Sequence, residues 1–208
     1  MLPLLLTIVI SYLLGSIPFG LILVRLLRGQ DIRTTGSGNI GATNVARSSP
    51  ALGLLTLLLD AAKGVLSVQL AAAIARRTDP GNEAALLWLM CVAAVFAIIG
   101  HIFPVWLNFR GGKGVATAVG GFLCLAPYAV AGSLIVFLIA VIATRYVSLG
   151  SVLAAAGFPF FVMWLYKGFE SRMITLLAAA SLLVIWRHRK NIARLLGGTE
   201  SRFQLRRG

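Results

Sequence analysis

Long apolar runs separated by polar connections constrain this chain more than any motif in it. They lie at about 4–27, 52–75, 84–103, 115–125, 128–143, 152–166 and 173–186. A helix needs roughly 20 apolar residues to cross a hydrocarbon layer. Only helices and closed barrels satisfy their own backbone polar groups there. The hydrophobic fraction of 59% and mean hydropathy of +0.91 support that reading, since soluble domains run at roughly 45–50% apolar. The expected fold class is an all-α membrane protein, one domain over 1–208. The first run is too long and too poorly flanked for a cleaved signal peptide and reads as a span that stays.

Pro127 interrupts the stretch 115–143, and proline breaks a helix ladder. Two helices there give seven transmembrane helices, with the termini on opposite sides. Cation counts choose the orientation. One side then collects Arg25, Arg28, Arg33, Arg47, Arg110, Lys113, Arg145 and the cations from Arg187 onward, Arg206 and Arg207 included. The other collects Arg76, Arg77, Lys167 and Arg172. The richer side is expected to be cytoplasmic, with the N-terminus outside and the C-terminus inside. A single helix over 115–143 would move Arg145 and all that follows across the membrane and weaken the asymmetry.

The net charge of +13 arises from 19 Lys and Arg against 6 Asp and Glu. The charges avoid the apolar runs, and no soluble domain carries a basic face for nucleic acid. Cys91 and Cys124 sit in apolar runs and read as small buried side chains, with no disulfide or metal spacing.

The first long connection contains Gly36-x-Gly38-x-x-Gly41. That spacing means dinucleotide binding only between a strand and a helix, and no strand precedes it. A loop of this length, rich in Gly, Asn, Ser and Thr, is usually functional or disordered. The second, "GHIFPVWLNFRGGKG", carries Gly111-Gly112-Lys113-Gly114. It fails the Walker A pattern, because Leu107 and Gly114 occupy positions that need Gly and Ser or Thr. Its logic still suits an anion: glycine amides can approach, lysine adds a charge, and a helix N-terminus follows. "TRYVSLGS" and "RHRKNIARLLGGTE" are the third and fourth connections.

In the seven-helix arrangement all four lie on the cytoplasmic side. They offer Ser37, Asn39, Thr43, Asn44, Arg47, His101, Lys113, Ser148, His188, Asn191, Arg194 and Glu200. Cations and neutral donors dominate, which suits a multiply charged oxyanion and not a divalent metal, which wants carboxylates. Each element alone has a plainer reading. Arg187–Arg194 can be a membrane anchor, His101 a packed side chain beside Phe103 and Pro104, and the glycine cluster a tight turn. Asp60 and Lys63, one helical turn apart, can be a structural ion pair, although charges within a span are costly and face polar interiors. The shared side makes these plain readings less apt together.

The stretches "GSGNIGATNVAR", "GHIFPVWLNFRGGKGVAT" and "RHRKNIARLLGGTE", with "LLDAAKG", resemble the bacterial integral-membrane, acyl-phosphate-dependent glycerol-3-phosphate acyltransferases. The similarity runs nearly the full length in the same order, with the third loop a looser match. It implies seven helices in the cell inner membrane and an active site facing the cytoplasm. It implies transfer of a fatty acyl group from acyl phosphate to the 1-hydroxyl of glycerol 3-phosphate, with no metal or other cofactor. On that footing Ser37, His101, Lys113, His188 and Asn191 are expected to be catalytic. Gly38, Asn39, Gly41, Thr43, Asn44, Arg47, Gly111, Gly112, Gly114, Ser148, Arg194 and Glu200 are expected to bind substrate. Membrane lipid and the soluble enzyme that supplies acyl phosphate are the expected partners.

The chemistry fits. A mixed anhydride is already activated, and the difficulty is bringing two anions together, which Lys113, Arg47 and Arg194 can offset. The residues five after His101 and His188 are Trp106 and Ala193, so the His-Asp pair of soluble glycerolipid acyltransferases is missing. The leaving phosphate, or a histidine without that Asp, then takes the hydroxyl proton. Small residues such as Ala116, Gly120 and Gly121 allow either close helix packing or room for the acyl chain. A transporter for a phosphorylated solute is the main alternative, but no internal repeat supports it. The paired-aspartate motif of CDP-alcohol phosphotransferases is missing.

Overall fold

The computed structural model describes residues 1–202, so Arg206 and Arg207 lie outside the described residues. All regular structure among them is helical. The chain divides into two compact units, Met1–Leu125 and the part from Ala126 onward.

The first unit contains α1 (Leu2–Gly15), α2 (Phe19–Arg28), α3 (Ala42–Ser48), α4 (Pro50–Thr78), α5 (Glu83–Ile102) and α6 (Val115–Leu123), with short 3-10 turns at Ile32–Thr34 and Val105–Leu107. The helix starts follow local chemistry. Ser49 caps α4 through its side chain, with Pro50 at the first position. The Asn82 side chain accepts the Ala85 N–H at 3.0 Å, with Glu83 in the first turn of α5. Both are favoured where helix N–H groups lack partners.

The first apolar run is two helices, not one. Pro18 has no N–H to continue the ladder, and Lys63 Nζ donates to the Ile17 carbonyl at this break, at 2.9 Å. α5 is the centre of the unit: Cys91, Ala93, Ala94, Ala97, Ile98 and Ile102 are fully enclosed. Gly120 and Gly121 serve close packing. A Cβ on Gly120 would run into the Ala61 backbone, and one on Gly64 into the Thr117 carbonyl. Small residues let helix backbones approach where burial from water drives nothing.

The second unit contains α7 (Pro127–Thr144), α8 (Val147–Leu165), α9 (Ser171–Arg187) and α10 (Arg189–Leu196). Its interior is formed by Ala129, Val130, Phe158, Val162, Leu177, Ala180 and Val184. The stretch 115–143 is split as expected, with Pro127 in the first turn of α7.

Among the described residues, five stretches are long and apolar enough to cross a membrane: Leu2–Arg28, Pro50–Thr78, Glu83–Leu107, Pro127–Thr144 and Val147–Leu165. α9, at 17 residues, and α6, at nine, fall below that length. Nine residues rise only about 14 Å, against about 30 Å of hydrocarbon. Large apolar side chains such as Leu54, Leu58, Ile135, Ile139, Ile142, Phe160 and Trp164 point outward. A water-soluble surface would not tolerate so many, whereas lipid matches them. Both cysteines are free thiols; Cys91 is buried as expected, whereas Cys124 is only half-buried.

Candidate functional site

In the first unit, Asn44 builds the loop between α2 and α3. It is buried, and its Oδ1 accepts the Ser37 N–H at 2.8 Å. Its Nδ2 donates to the carbonyls of Ile32, Thr35 and Asn39 at 3.2, 3.1 and 2.9 Å. An amide nitrogen has two hydrogens, so these three acceptors share them. Asn39 Oδ1 accepts the Gly41 N–H at 2.8 Å. Gly36 and Gly38 adopt φ of 58° and 69°, which glycine takes without a Cβ penalty. At the loop's start, hydrogen bonds from the Arg33 side chain and backbone lower the Asp31 carboxyl to about 2. Asn44 and Asn39 thus hold the loop, while Ser37 and Gly38 are exposed on it and Thr43 and Arg47 on the helix α3 that follows.

The second loop leaves α5 at Phe103, whose carbonyl accepts the Tyr12 hydroxyl at 2.8 Å. Asn108 and Phe109 sit at φ of 49° and 61°, a region that side-chain-bearing residues seldom adopt. The Gly111 and Gly112 N–H groups donate to the Ile102 and His101 carbonyls, each at 3.0 Å. This corrects the expectation that these two amides face an anion: they complete the end of α5. Both glycines are there because the chain passes close. A Cβ on Gly111 would meet the His101 carbonyl, and one on Gly112 the His101 ring. Gly114, at φ 84°, starts α6, and the half-buried Lys113 stands just before it.

One small apolar cluster joins these loops. Leu21, Val24, Ile32, Ile40 and Val45 form it, and Leu107 of the second loop packs against it. Burying these side chains fixes both loops on one foundation, at roughly 1.5–3 kcal/mol for each large residue.

Beneath the second loop lies a His-Asp pair that sequence spacing could not reveal. His101 Nδ1 is 3.6 Å from Asp60 Oδ1 and 3.3 Å from Thr117 Oγ1. Asp60 Oδ1 is 2.8 Å from Lys63 Nζ. The expected Asp60–Lys63 ion pair forms, and it brings a carboxylate to His101 from another helix. The only sequence signal was two charges inside an apolar run. His101 is buried, with its ring under Gly112.

In the second unit, Glu200 is the hub. Its Oε1 accepts from Ser148 Oγ at 2.8 Å and Asn191 Nδ2 at 2.6 Å, and its Oε2 from Arg194 Nε at 2.7 Å. Burial pushes its carboxyl up, but the hydrogen bonds from Asn191, Ser148 and Arg194 outweigh that and hold it below the usual carboxylate range. The chain turns back to bring Glu200 there: the Thr199 N–H donates to the Arg194 carbonyl, with Gly198 at φ 67°. Glu200 therefore organises Ser148, Asn191 and Arg194. The Arg194 side chain keeps 42% exposure. His188 is buried, and its Nδ1 is 2.8 Å from the Val184 carbonyl. A carbonyl only accepts, so the proton sits on Nδ1 and a neutral ring has Nε2 as acceptor. Arg189 stacks 4.1 Å over the Trp186 ring.

The third and fourth loops are thus joined within the second unit, as the first and second are within the first. Among the described residues no three His, Cys, Asp or Glu side chains form a metal-binding group.

A family model described as glycerol-3-phosphate acyltransferase matches residues 5–198. The glycerol-3-phosphate acyltransferase of Syntrophotalea carbinolica is 48% identical over 93% of this chain and 94% of its own length. That of Desulfotalea psychrophila is 49% identical over 92% and 93%. Among solved structures, PlsY, an integral membrane glycerol 3-phosphate acyltransferase, in its glycerol 3-phosphate form superposes with a TM-score of 0.84 at 36% identity, covering 97% of this chain and 96% of that one. Its lysophosphatidic acid form gives 0.81 at 35% identity, over 97% and 95%. With a match over nearly the whole chain in sequence and in fold, this chain belongs to the glycerol-3-phosphate acyltransferase family.

Proposed function

We propose that the protein transfers a fatty acyl group from acyl phosphate to the 1-hydroxyl of glycerol 3-phosphate, forming 1-acylglycerol 3-phosphate and inorganic phosphate for phospholipid synthesis. The observation that carries this reading is the seating of two glycine-rich loops on one apolar cluster, with Ser37 exposed on the first, Thr43 and Arg47 exposed on α3 where that loop ends, and the half-buried Lys113 on the second. The two forms of the solved PlsY, with glycerol 3-phosphate and with lysophosphatidic acid, support the acceptor and the product.

In this reading the hydroxyl oxygen bonds to the acyl carbon as the bond to the bridging phosphate oxygen breaks. The leaving phosphate takes the electron pair and the hydroxyl proton. An anhydride needs no further activation, so the reaction as proposed uses no metal or other cofactor. Cations must offset the repulsion between two anionic reactants, and we assign Arg47, Lys113 and Arg194 to them. Ser37, His188 and Asn191 align and hydrogen-bond the reacting groups, and His101, expected to be catalytic, is assigned instead to support the Gly112–Lys113 segment from beneath. Thr43 and the backbone at Gly38, Asn39, Gly41 and Gly114 line the phosphate sites. Asn44, Gly111, Gly112, Ser148 and Glu200 hold those groups in position. Orienting two bound reactants supplies up to about 7–11 kcal/mol.

The same proposal treats the chain as one acyltransferase domain, supported by a family match that runs across both units. It has seven crossings of the inner membrane, with α6 and α9 as the two short ones, the N-terminus outside and the site in the cytoplasm. The cation bias supports this orientation. Acyl phosphate enters from the bilayer, delivered by the soluble enzyme that makes it.

Purified protein in detergent, given acyl phosphate and glycerol 3-phosphate, tests the reading. Phosphate release that requires glycerol 3-phosphate, with 1-acylglycerol 3-phosphate as co-product, is the expected result. Uptake of glycerol 3-phosphate into vesicles without chemical change would replace it with transport.

A further inference from the structure

We infer that Asp60 and Lys63 are positioning residues for Lys113: with Thr117 they fix the His101 ring, and that ring is the floor on which the Gly112–Lys113 segment rests. The inference rests on the reading of Lys113 as a phosphate-binding cation. Asp60 and Lys63 lie one turn apart on α4, each side chain only 3% exposed. Lys63 reaches in two directions, to Asp60 at 2.8 Å and to the Ile17 carbonyl at 2.9 Å. That carbonyl lies at the break between α1 and α2. Asp60 faces His101 Nδ1 at 3.6 Å, and Thr117 on α6 approaches the same nitrogen at 3.3 Å. The other edge of the ring, Nε2, lies where a Gly112 Cβ would have to go. The Gly112 N–H is bonded to the His101 carbonyl at 3.0 Å. A continuous polar chain therefore runs from the α1–α2 break through α4 and α5 to the residue before Lys113.

Packing alone does not call for this chain. Gly64 and Gly120 already bring the α4 and α6 backbones together, and a well-packed apolar group often replaces a buried ion pair without loss of stability. What an apolar replacement could not do is hold an imidazole in one orientation. Thr117 Oγ1 within hydrogen-bond reach of Nδ1 and the Asp60 carboxylate just beyond it, from two helices, favour one orientation of the ring, so the segment above it has a defined height.

The test separates positioning from plain structure. The double variant Asp60→Asn with Lys63→Gln removes both charges together, so neither is left buried alone. In full-length protein, the expected result is a thermal midpoint close to the native one and a kcat lower by about a hundredfold, the scale of a misplacement near 1 Å. Lys113→Ala and the triple variant complete a cycle. The triple variant should be no worse than Lys113→Ala, the non-additivity of residues acting through one another. Native kcat in the folded double variant, or additive losses in the cycle, would overturn the inference. If Lys113→Ala itself leaves kcat and KM unchanged, the phosphate-binding reading fails first, a separate outcome. Where the double variant does not fold, Thr117→Val takes its place. It removes one ring partner and keeps the ion pair, so a lowered kcat at unchanged midpoint supports the inference and unchanged kcat sinks it.

Discussion

The side-chain oxygen of buried Asn44 accepts the backbone N–H of exposed Ser37 at 2.8 Å, across seven residues of chain. The connection between α2 and α3, whose only regular element is the 3-10 turn at Ile32–Thr34, is thereby given a fixed shape. The same side chain draws in the carbonyls of Ile32, Thr35 and Asn39.

Asn44→Asp should therefore be severe. It exchanges a donor for an acceptor facing three carbonyls, and leaving buried groups unsatisfied costs about 1–3 kcal/mol or more. The expected result is a lower thermal midpoint and a kcat/KM reduced by about a hundredfold, because the reacting loop moves. A variant with native kinetics would show that the loop shape does not matter to the reaction.

Lys113→Ala and Arg47→Ala each remove a cation proposed to meet a phosphate. A hydrogen bond to a charged group contributes about 1.5–3 kcal/mol, so kcat/KM should fall about 10- to 150-fold in each. Product inhibition by inorganic phosphate should weaken in at least one. Measuring both substrates' KM values identifies which phosphate each cation holds.

Glu200 predicts an acid limit. Its hydrogen bonds hold the folded carboxyl below the ordinary range, and an unfolded glutamate titrates near about 4.3. A depressed folded value means that the stabilisation is complete above the unfolded value and is lost as pH falls through the folded one. The native thermal midpoint should drop steeply below about pH 4.3, and Glu200→Gln should flatten that part of the profile. Glu200→Gln should also lower activity at neutral pH, since its amide nitrogen cannot accept from Arg194 or Asn191. Identical pH profiles for the two proteins would remove Glu200 from its role as hub.

Gly120→Ala tests packing away from the loops. Its Cβ would collide with the Ala61 backbone, and overpacking costs typically about 1–3 kcal/mol. A lowered thermal midpoint with little change in KM is expected.

The membrane arrangement is open to labelling. Thr43→Cys and Arg110→Cys, each in a background with Cys91 and Cys124 replaced by alanine, should both react with a membrane-impermeant thiol reagent from the cytoplasmic side only. Labelling from opposite sides would end the proposal that the two loops serve one reaction.

Much was legible in the sequence because it depends on local chemistry. Apolar runs must be helical in hydrocarbon, so the all-helical class follows from hydropathy alone. Pro127 had to break its run because it lacks an N–H: α6 ends at Leu123 and α7 starts at Pro127. Pro18 carried the same signal inside the first run, where continuous hydrophobicity masked it. The loop stretches around Asn44, Lys113 and Asn191 marked the family by residue identity. What each side chain touches was decided only by the fold. Spacing along the chain found no aspartate for His101, because the partner comes from α4, forty-one positions earlier. Asn44 and Glu200 looked like ligand-facing polar groups and prove to hold their neighbours. Gly111 and Gly112 looked like amide donors to an anion, and their N–H groups close the end of α5 instead. Local propensity acts over a few residues, whereas a buried polar group pairs with whatever the tertiary packing brings within hydrogen-bond reach.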